Sequence, residues 1–279
     1  MKEILRALLS TAALVSALPV LAQDAATAPA GPAAPSDDSL RYLLGASVSV
    51  APEYDGASRM RTKIRPLWAV RFGRIRIATS GGSALLGFGR ENEGAGASTQ
   101  LIETGKWRLG VALRFDSGRS SGDADTTRGL PDVKRTLRAR FYANYSLTKD
   151  WNVSGALSQD VLGHRGGLTA SLDLGWRFYR SETTEWTSDI GLSAADAQNM
   201  RTYFGVPASA TEASGKPAYE PGAGLRDAHL GIGFRHALDK HWFVFGSAGV
   251  SHLLGPAGGS PIVERRSNAG AAVGLAWRN

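Results

Sequence analysis

The chain has 279 residues, 34 glycines, no cysteine and a formal net charge of +7 at pH 7. Without cysteine it can hold no disulfide framework, no thiolate metal site and no cysteine nucleophile. Its mean hydropathy of -0.16, with no apolar run of about 18 residues beyond the N-terminal segment, excludes a helical membrane protein.

The N-terminus has the features of an export signal. Lys2 and Arg6 form a short positive region, and an apolar stretch then leads to small or aliphatic residues ending at Ala22. This order predicts a secretory signal peptide over residues 1–22. Residues 23–40 begin with an Ala- and Pro-rich stretch that has little to bury, so we predict a flexible leader there.

From residue 41 onward, apolar and polar side chains alternate. In residues 107–115 the odd positions are all large and apolar, whereas arginine, glycine and alanine occupy the even ones, and 137–147 and 168–178 are similar. Alternation places the two sets on opposite faces of a strand. A β-sandwich would also alternate, but with strands of about 5–6 residues. These longer segments predict an all-β fold, a transmembrane antiparallel β-barrel over 41–279.

Twelve strands are predicted, an even number as in single-chain bacterial barrels. Ten is the alternative, because Gly81-Gly82 could be a bulge within one longer strand. Short polar turns such as 148–150 are expected on the periplasmic side, and 117–133 and 196–223 as extracellular loops. The predicted strands lie near 41–51, 63–73, 74–80, 82–90, 106–116, 134–148, 150–160, 167–180, 184–195, 224–238, 240–253 and 267–278.

Arginines recur on the polar face of these strands, and that face must point inward. Facing lipid near the midplane, each would cost about 2–4 kcal/mol. A wide basic lumen would favour anions by focusing positive potential. In a narrow lumen, arginine–aspartate pairs would instead fill the space and stiffen the wall, which is the interpretation we favour for a small barrel. The candidate lumen network is Arg108, Arg114, Arg138, Arg140, Asp173, Arg177, Asp189 and Arg235.

Four short motifs follow one another along the chain. They are APEYDG at 51–56, DVLGHRGG at 160–167, MRTYFGV at 200–206 and SPIV at 260–263. In this order and spacing they resemble the MltA-interacting protein (MipA/OmpV) family of Gram-negative outer membranes. The resemblance extends from about residue 41 to the end of the chain.

The resemblance implies a scaffold in the outer membrane, reached after signal-peptide cleavage, and neither an enzyme nor a cofactor. It implies two partners, a murein-cleaving lytic transglycosylase and a bifunctional penicillin-binding protein, in addition to outer-membrane lipid and lipopolysaccharide. Two positions depart from the pattern. The chain ends in Trp277-Arg278-Asn279 instead of an aromatic residue, and Gly259 stands where the family motif has aspartate.

A narrow anion-preferring pore and, less favoured, a lipid-modifying barrel enzyme are the alternative functions. An enzyme of that kind needs a histidine beside a serine. Ser158 and His164 come nearest, but the surroundings of Ser158 do not resemble a nucleophile elbow. The simpler interpretation of His164 is a turn residue hydrogen-bonded to backbone, so we predict no catalytic, cofactor or metal residue.

Two loop segments resemble ligand sites but fail on composition. Asp123–Thr127 is similar to the start of a calcium loop, yet Lys134 stands where an EF-hand needs its bidentate acid. Gly94–Ser98 lacks the lysine of a phosphate loop and is predicted to be a flexible loop. A basic lumen and lipopolysaccharide contacts account for the positive charge, so nucleic acid is not a predicted partner.

Overall fold

The computed structural model describes residues 40–79 and 95–279. The predicted signal peptide, residues 1–22, and all but the last residue of the predicted leader, 23–40, lie outside these ranges. The helices within the described ranges are too short or too polar to cross a bilayer.

Twelve strands close into one antiparallel barrel, in which each strand pairs with its neighbours in sequence and β1 pairs with β12. The predicted fold and strand number are confirmed. The strands are β1 Arg41–Pro52, β2 Met60–Phe72, β3 Ile75–Ala78, β4 Gly96–Glu103, β5 Trp107–Asp116, β6 Thr136–Ser146, β7 Trp151–Asp160, β8 Leu168–Arg180, β9 Thr184–Ala195, β10 Gly224–Ala237, β11 Trp242–Leu253 and β12 Ser267–Arg278.

The prediction is wrong at β4. This strand begins at Gly96, inside the expected flexible loop, while the predicted strand 82–90 lies outside the described residues. The small side chains of 96–98 carry no apolar alternation, so pairing with β5 makes them a strand. The two backbones approach so closely that a Cβ at Gly96 would lie 2.0 Å from the carbonyl oxygen of Leu113. Glycine is therefore required at this position.

The outer surface of the barrel is an apolar belt. Ile64 is 77% exposed, and Leu172 and Ile190 are each 59% exposed, all on the outward phase of their strands. Lipid offers no partner to backbone polar groups, and a closed barrel satisfies all of them. The belt and the closed ladder together make this a transmembrane barrel.

The short turns gather at one end of the barrel, which we call the rim: 73–74, 104–106, 147–150, 181–183 and 238–241. All seven tryptophans lie near the rim. Several form ring contacts across neighbouring strands, such as the stacked pair Trp151 and Trp176, whose centroids are 5.2 Å apart. Aromatic girdles of this kind mark the level of a membrane–water interface.

The longer loops pack together at the other end into a cap, which consists of residues 53–59, 117–135, 161–167, 196–223 and 254–266. The cap holds the short helices α1 Ala197–Phe204, α2 Thr211–Ser214 and α3 Gly255–Gly258, which the sequence analysis does not predict. Asp196 caps α1 by accepting a hydrogen bond from the Asn199 amide (2.7 Å). Two apolar clusters stabilise the cap: Ala195, Met200, Phe204, Leu253 and Ala257, and Leu130, Val206, Ala210 and Ile262.

Candidate functional site

A cavity of about 750 Å³ lies inside the barrel, where α1 of the cap meets the strand walls. Asn199, Tyr203 and Phe204 line it on the cap side. Arginine and aspartate contribute equally to its wall, so the lumen here is not uniformly basic. The charged and titratable lining residues are Arg65, Arg114, Arg138, Arg140, Arg226, Asp55, Asp116, Asp173, Asp189, Asp227 and His229.

Arg138 on β6 ties the barrel wall to the cap. Its guanidinium donates from Nη1 to the Gly166 carbonyl (2.9 Å) and from Nη2 to the Gly167 carbonyl (3.1 Å). Its Nε donates to Ser158 Oγ at 3.1 Å, and Asp116 lies 3.8 Å from Nη1. These contacts make Arg138 a structural residue that holds the 161–167 loop.

Arg114 and Arg140 are two further cavity arginines on this side of the barrel. Arg114 on β5 is 5% exposed. The Nε of Arg140 on β6 is buried and has no hydrogen-bond partner among the described residues. Both guanidinium groups line the cavity and contribute positive charge to it.

Carboxylates and one histidine dominate the opposite part of the wall. His229 Nε2 lies 2.7 Å from Asp173 Oδ1, and His229 Nδ1 lies 2.9 Å from Asp227 Oδ1. Asp227 Oδ2 also accepts hydrogen bonds from Ser193 and from Arg226 Nε, the latter at 2.8 Å. The residues come from β8, β9 and β10, so their charges are grouped on three successive strands.

The cavity charges are thus segregated around the barrel. Most arginines lie on β2, β5 and β6, and most carboxylates on β8 to β10; β7, which separates β6 from β8, contributes only Ala156 and Ser158. A charged solute in this space would meet an electric field directed across the lumen.

The eight residues of the predicted network do not form one site. Arg114, Arg138, Arg140, Asp173 and Asp189 line the cavity. The remaining three lie nearer the rim. Arg177 pairs with Asp150 (3.0 Å) and Glu185 (3.6 Å), Arg235 lies 3.8 Å from Glu185, and Arg108 is opposite Glu103 in the β4–β5 register.

Tyr203 links the cap to the cavity wall. Its hydroxyl donates to Asp116 Oδ2 at 2.6 Å, and its carbonyl accepts from Arg119 Nη1 at 3.1 Å. Burial, followed by the hydrogen bond to Asp116, raises the pKa of the Tyr203 phenol. Burial also lowers the pKa of the Arg119 guanidinium. The phenol is therefore a neutral donor at physiological pH.

Ser158 and His164 are each engaged elsewhere. Ser158 Oγ accepts from Arg138, and His164 Nδ1 contacts the backbone carbonyl of Arg135. A nucleophilic serine needs a base within hydrogen-bond reach, and the contacts of these two residues supply none.

Asp227 and His229 are site residues that were not predicted from the sequence. Both occupy the inward phase of the predicted strand 224–238, two positions apart, and this spacing was the available signal. Their partner Asp173 is 56 residues away from His229. Only the register of β8, β9 and β10 brings the three together.

Residues 44–279 match the protein family described as "MltA-interacting protein MipA". The chain belongs to the MipA family. This match confirms the resemblance seen in the four motifs, and it covers nearly the whole barrel. A comparison with curated proteins finds no match.

The motifs that carry the MipA resemblance meet in the cap. Tyr54 of the first donates to the carbonyl of Ile262 in the fourth (2.9 Å), and Ser260 donates to the carbonyl of Phe204 in the third. Thr202 donates to the carbonyl of Arg165 in the second at 2.7 Å. In this chain the four motifs thus hold the cap loops together.

Solved barrels of similar shape share little sequence with this MipA-family chain. The "KdgM porin" has 11% identity and a TM-score of 0.42, covering 84% of this chain and 98% of that one. The "Anion-selective porin from Comamonas acidovorans" has 12% identity and a TM-score of 0.38, covering 86% and 99%. OmpT of Vibrio cholerae has 6% identity and a TM-score of 0.40, covering 86% and 97%.

Proposed function

We propose that this MipA-family protein is a non-enzymatic outer-membrane scaffold that holds a lytic transglycosylase beside a bifunctional penicillin-binding protein. In this proposal the chain is exported with cleavage after Ala22, and the barrel is embedded among outer-membrane lipid and lipopolysaccharide. The description of the family as an MltA-interacting protein supports the choice of partners.

The packed cap is the observation that favours a scaffold over an open pore. Met200, Val206 and Ile262 are each 0% exposed in the cap. Close-packed apolar clusters resist deformation and hold their neighbours in one arrangement. A barrel with such a closure over its lumen is suited to a rigid role in the membrane.

The rim is the surface we assign to the partners. Short turns face the periplasm in bacterial barrels, which is also where murein lies. Lys149, Asp150, Asp239 and Lys240 are exposed there, and Arg177 fixes the 147–150 turn by donating to Asp150 at 3.0 Å. The rim thus offers a charged surface to an enzyme that binds from the periplasm.

The test measures binding of the two purified enzymes to the barrel in lipid nanodiscs. We expect both to bind, alone and together. Charge reversal at the rim with Lys149→Glu and Lys240→Glu should weaken binding at least tenfold. The matched control is reversal in the cap with Arg128→Glu and Lys134→Glu, which should leave binding unchanged. Absence of binding to the unaltered barrel, or equal binding by both double variants, would refute the proposal.

A second function, passage of small charged solutes, is favoured by the cavity of about 750 Å³. Arg140→Ala removes a charge from the cavity, whereas Arg235→Ala removes one outside it. Steady conductance steps in planar bilayers, with an anion preference that only Arg140→Ala reduces, would support this function in place of the scaffold. Absence of conductance steps in the planar bilayer would exclude the passage of solutes.

A further inference from the structure

The carboxylate–histidine group on β8, β9 and β10 has the arrangement of a metal site. Asp173, Gly191 and His229 lie side by side in one row of the strand register, and Asp189 lies opposite Gly231 in a neighbouring row. One ligand atom from each of Asp173, Asp189 and His229 lies within 4.8 Å of the others. Three neighbouring strands therefore bring three donor atoms close together on one part of the cavity wall.

Two glycines make room for this convergence. A Cβ at Gly191 would lie 2.3 Å from Asp173 Oδ1 and 2.5 Å from His229 Nε2. A Cβ at Gly231 would lie 2.5 Å from Asp189 Oδ1. Any other residue at either position would force the donor atoms apart, so the bare backbone forms a cradle for them.

The second nitrogen of His229 is also fixed. Asp227 Oδ1 lies 2.9 Å from Nδ1, and Ser193 and Arg226 hold the other Asp227 oxygen. Asp227 is 6% exposed and so is shielded from competing water. Metal-binding histidines regularly donate their other N–H to a carboxylate, which orients the ring and raises its basicity.

The geometry points to a divalent transition-metal site in the lumen, with Asp173, Asp189 and His229 Nε2 as ligands and Asp227 as a positioning residue. Imidazole together with carboxylates suits zinc, copper or nickel, whereas magnesium prefers oxygen ligands alone. Zinc binds such donors at about 2.0–2.2 Å, so the three side chains would draw closer together around a bound ion. All three ligands line the cavity, so a bound ion would complete its coordination with water or with an anionic group of a solute.

The test titrates Zn²⁺ into the chelator-stripped barrel in detergent micelles, with Co²⁺ absorption to report the ligand field. We expect one ion per barrel and little competition from Mg²⁺. His229→Gln and Asp189→Asn should each weaken Zn²⁺ binding at least tenfold. The matched control is His252→Gln on the outward face of β11, which should bind as the unaltered protein does.

The positioning role of Asp227 has its own readout. Asp227→Asn should weaken binding about 10–100-fold while shifting the Co²⁺ absorption bands of the ion that still binds. The heat-dependent gel mobility of folded barrels checks that each variant is folded. Absence of Zn²⁺ binding to the unaltered barrel, or equal affinity in His229→Gln and His252→Gln, would overturn the inference. An unchanged Co²⁺ spectrum in Asp227→Asn would remove Asp227 from it.

Discussion

The rim and the cap, at the two ends of one barrel, are stabilised by different contacts. Inside the rim, an apolar cluster packs on neighbouring, paired strands of one side of the barrel. It consists of Leu43, Leu67, Ala69, Ala78, Phe243 and Ala276. The cap instead joins loops far apart in sequence, through contacts such as Tyr54 with Ile262. We therefore expect the rim to unfold only together with the barrel, and we expect the cap loops to lose their packing at a lower free energy than the barrel strands.

The largest effect is expected inside the rim. Phe243 is 2% exposed, so Phe243→Ala leaves a cavity and should lower the free energy of unfolding by about 3–5 kcal/mol. Val244→Ala is the matched control. Val244 is the next residue of β11 and faces lipid, so its substitution should lower the free energy of unfolding by less. Urea unfolding in lipid vesicles measures both. If only the cap loosened in Phe243→Ala, the rim would not belong to the barrel's cooperative unit.

The belt between the two ends gives the next effect. Leu172 faces lipid and is 59% exposed, while its neighbour Ser171 lines the cavity. Leu172→Arg should destabilise the barrel by about 2–4 kcal/mol, because the charge lies in hydrocarbon. Ser171→Arg places the same charge in the polar lumen and should cost less. Equal refolding yields of the two variants in bilayers would overturn the assignment of faces.

The barrel was far more predictable than the cap or the cavity. A period of two residues identifies lipid and lumen faces such as those of Leu172 and Ser171, because a barrel strand has only two environments. The start of β4 was not predicted. Glycine is needed at position 96 because the backbone of Leu113 is so close, and a glycine adds nothing to an apolar alternation. The contact of Asp173 with His229 depends on strand register across 56 residues, and local sequence carries no such information.

In the cap, loss of a single hydrogen bond should be measurable. Tyr203→Phe removes the donor to the Asp116 carboxylate and should lower the free energy of cap opening by about 1.5–3 kcal/mol. Tyr219→Phe is the control, since that hydroxyl donates to the neutral Pro256 carbonyl (2.7 Å) and should cost about 0.5–1.5 kcal/mol. Hydrogen exchange of the α1 amides reports opening. Faster exchange at the rim would contradict the separation of the two ends.

The smallest expected effect is a difference between the cap and the rim in how their stability depends on pH. Glu264 accepts hydrogen bonds from Thr126 Oγ1 and from the Ser58 amide (2.7 Å), tying three cap loops together. These bonds, in that order, lower the pKa of the Glu264 carboxyl to about 2. Because this pKa lies below the ordinary glutamate value of 4.5, the contribution of Glu264 to stability is fully present above pH 4.5. It is lost as the pH falls toward 2.

At the rim, the carboxylate of Asp239 serves as the comparison, because among the described residues it forms hydrogen bonds only within its own turn. The amides of Trp242 and His241 lower its pKa, but they belong to its own turn. The protection factors of backbone amides against hydrogen exchange, which are referred to the intrinsic rate at each pH, should therefore fall between pH 5 and pH 3 across the 53–59 and 117–135 loops in the unaltered protein. At the rim they should fall only within 238–241. Glu264→Gln should remove the pH step in the cap, whereas Asp239→Asn should leave it. A cap that loosened equally with acid in both variants would mean that other carboxylates, and not Glu264, hold its loops together.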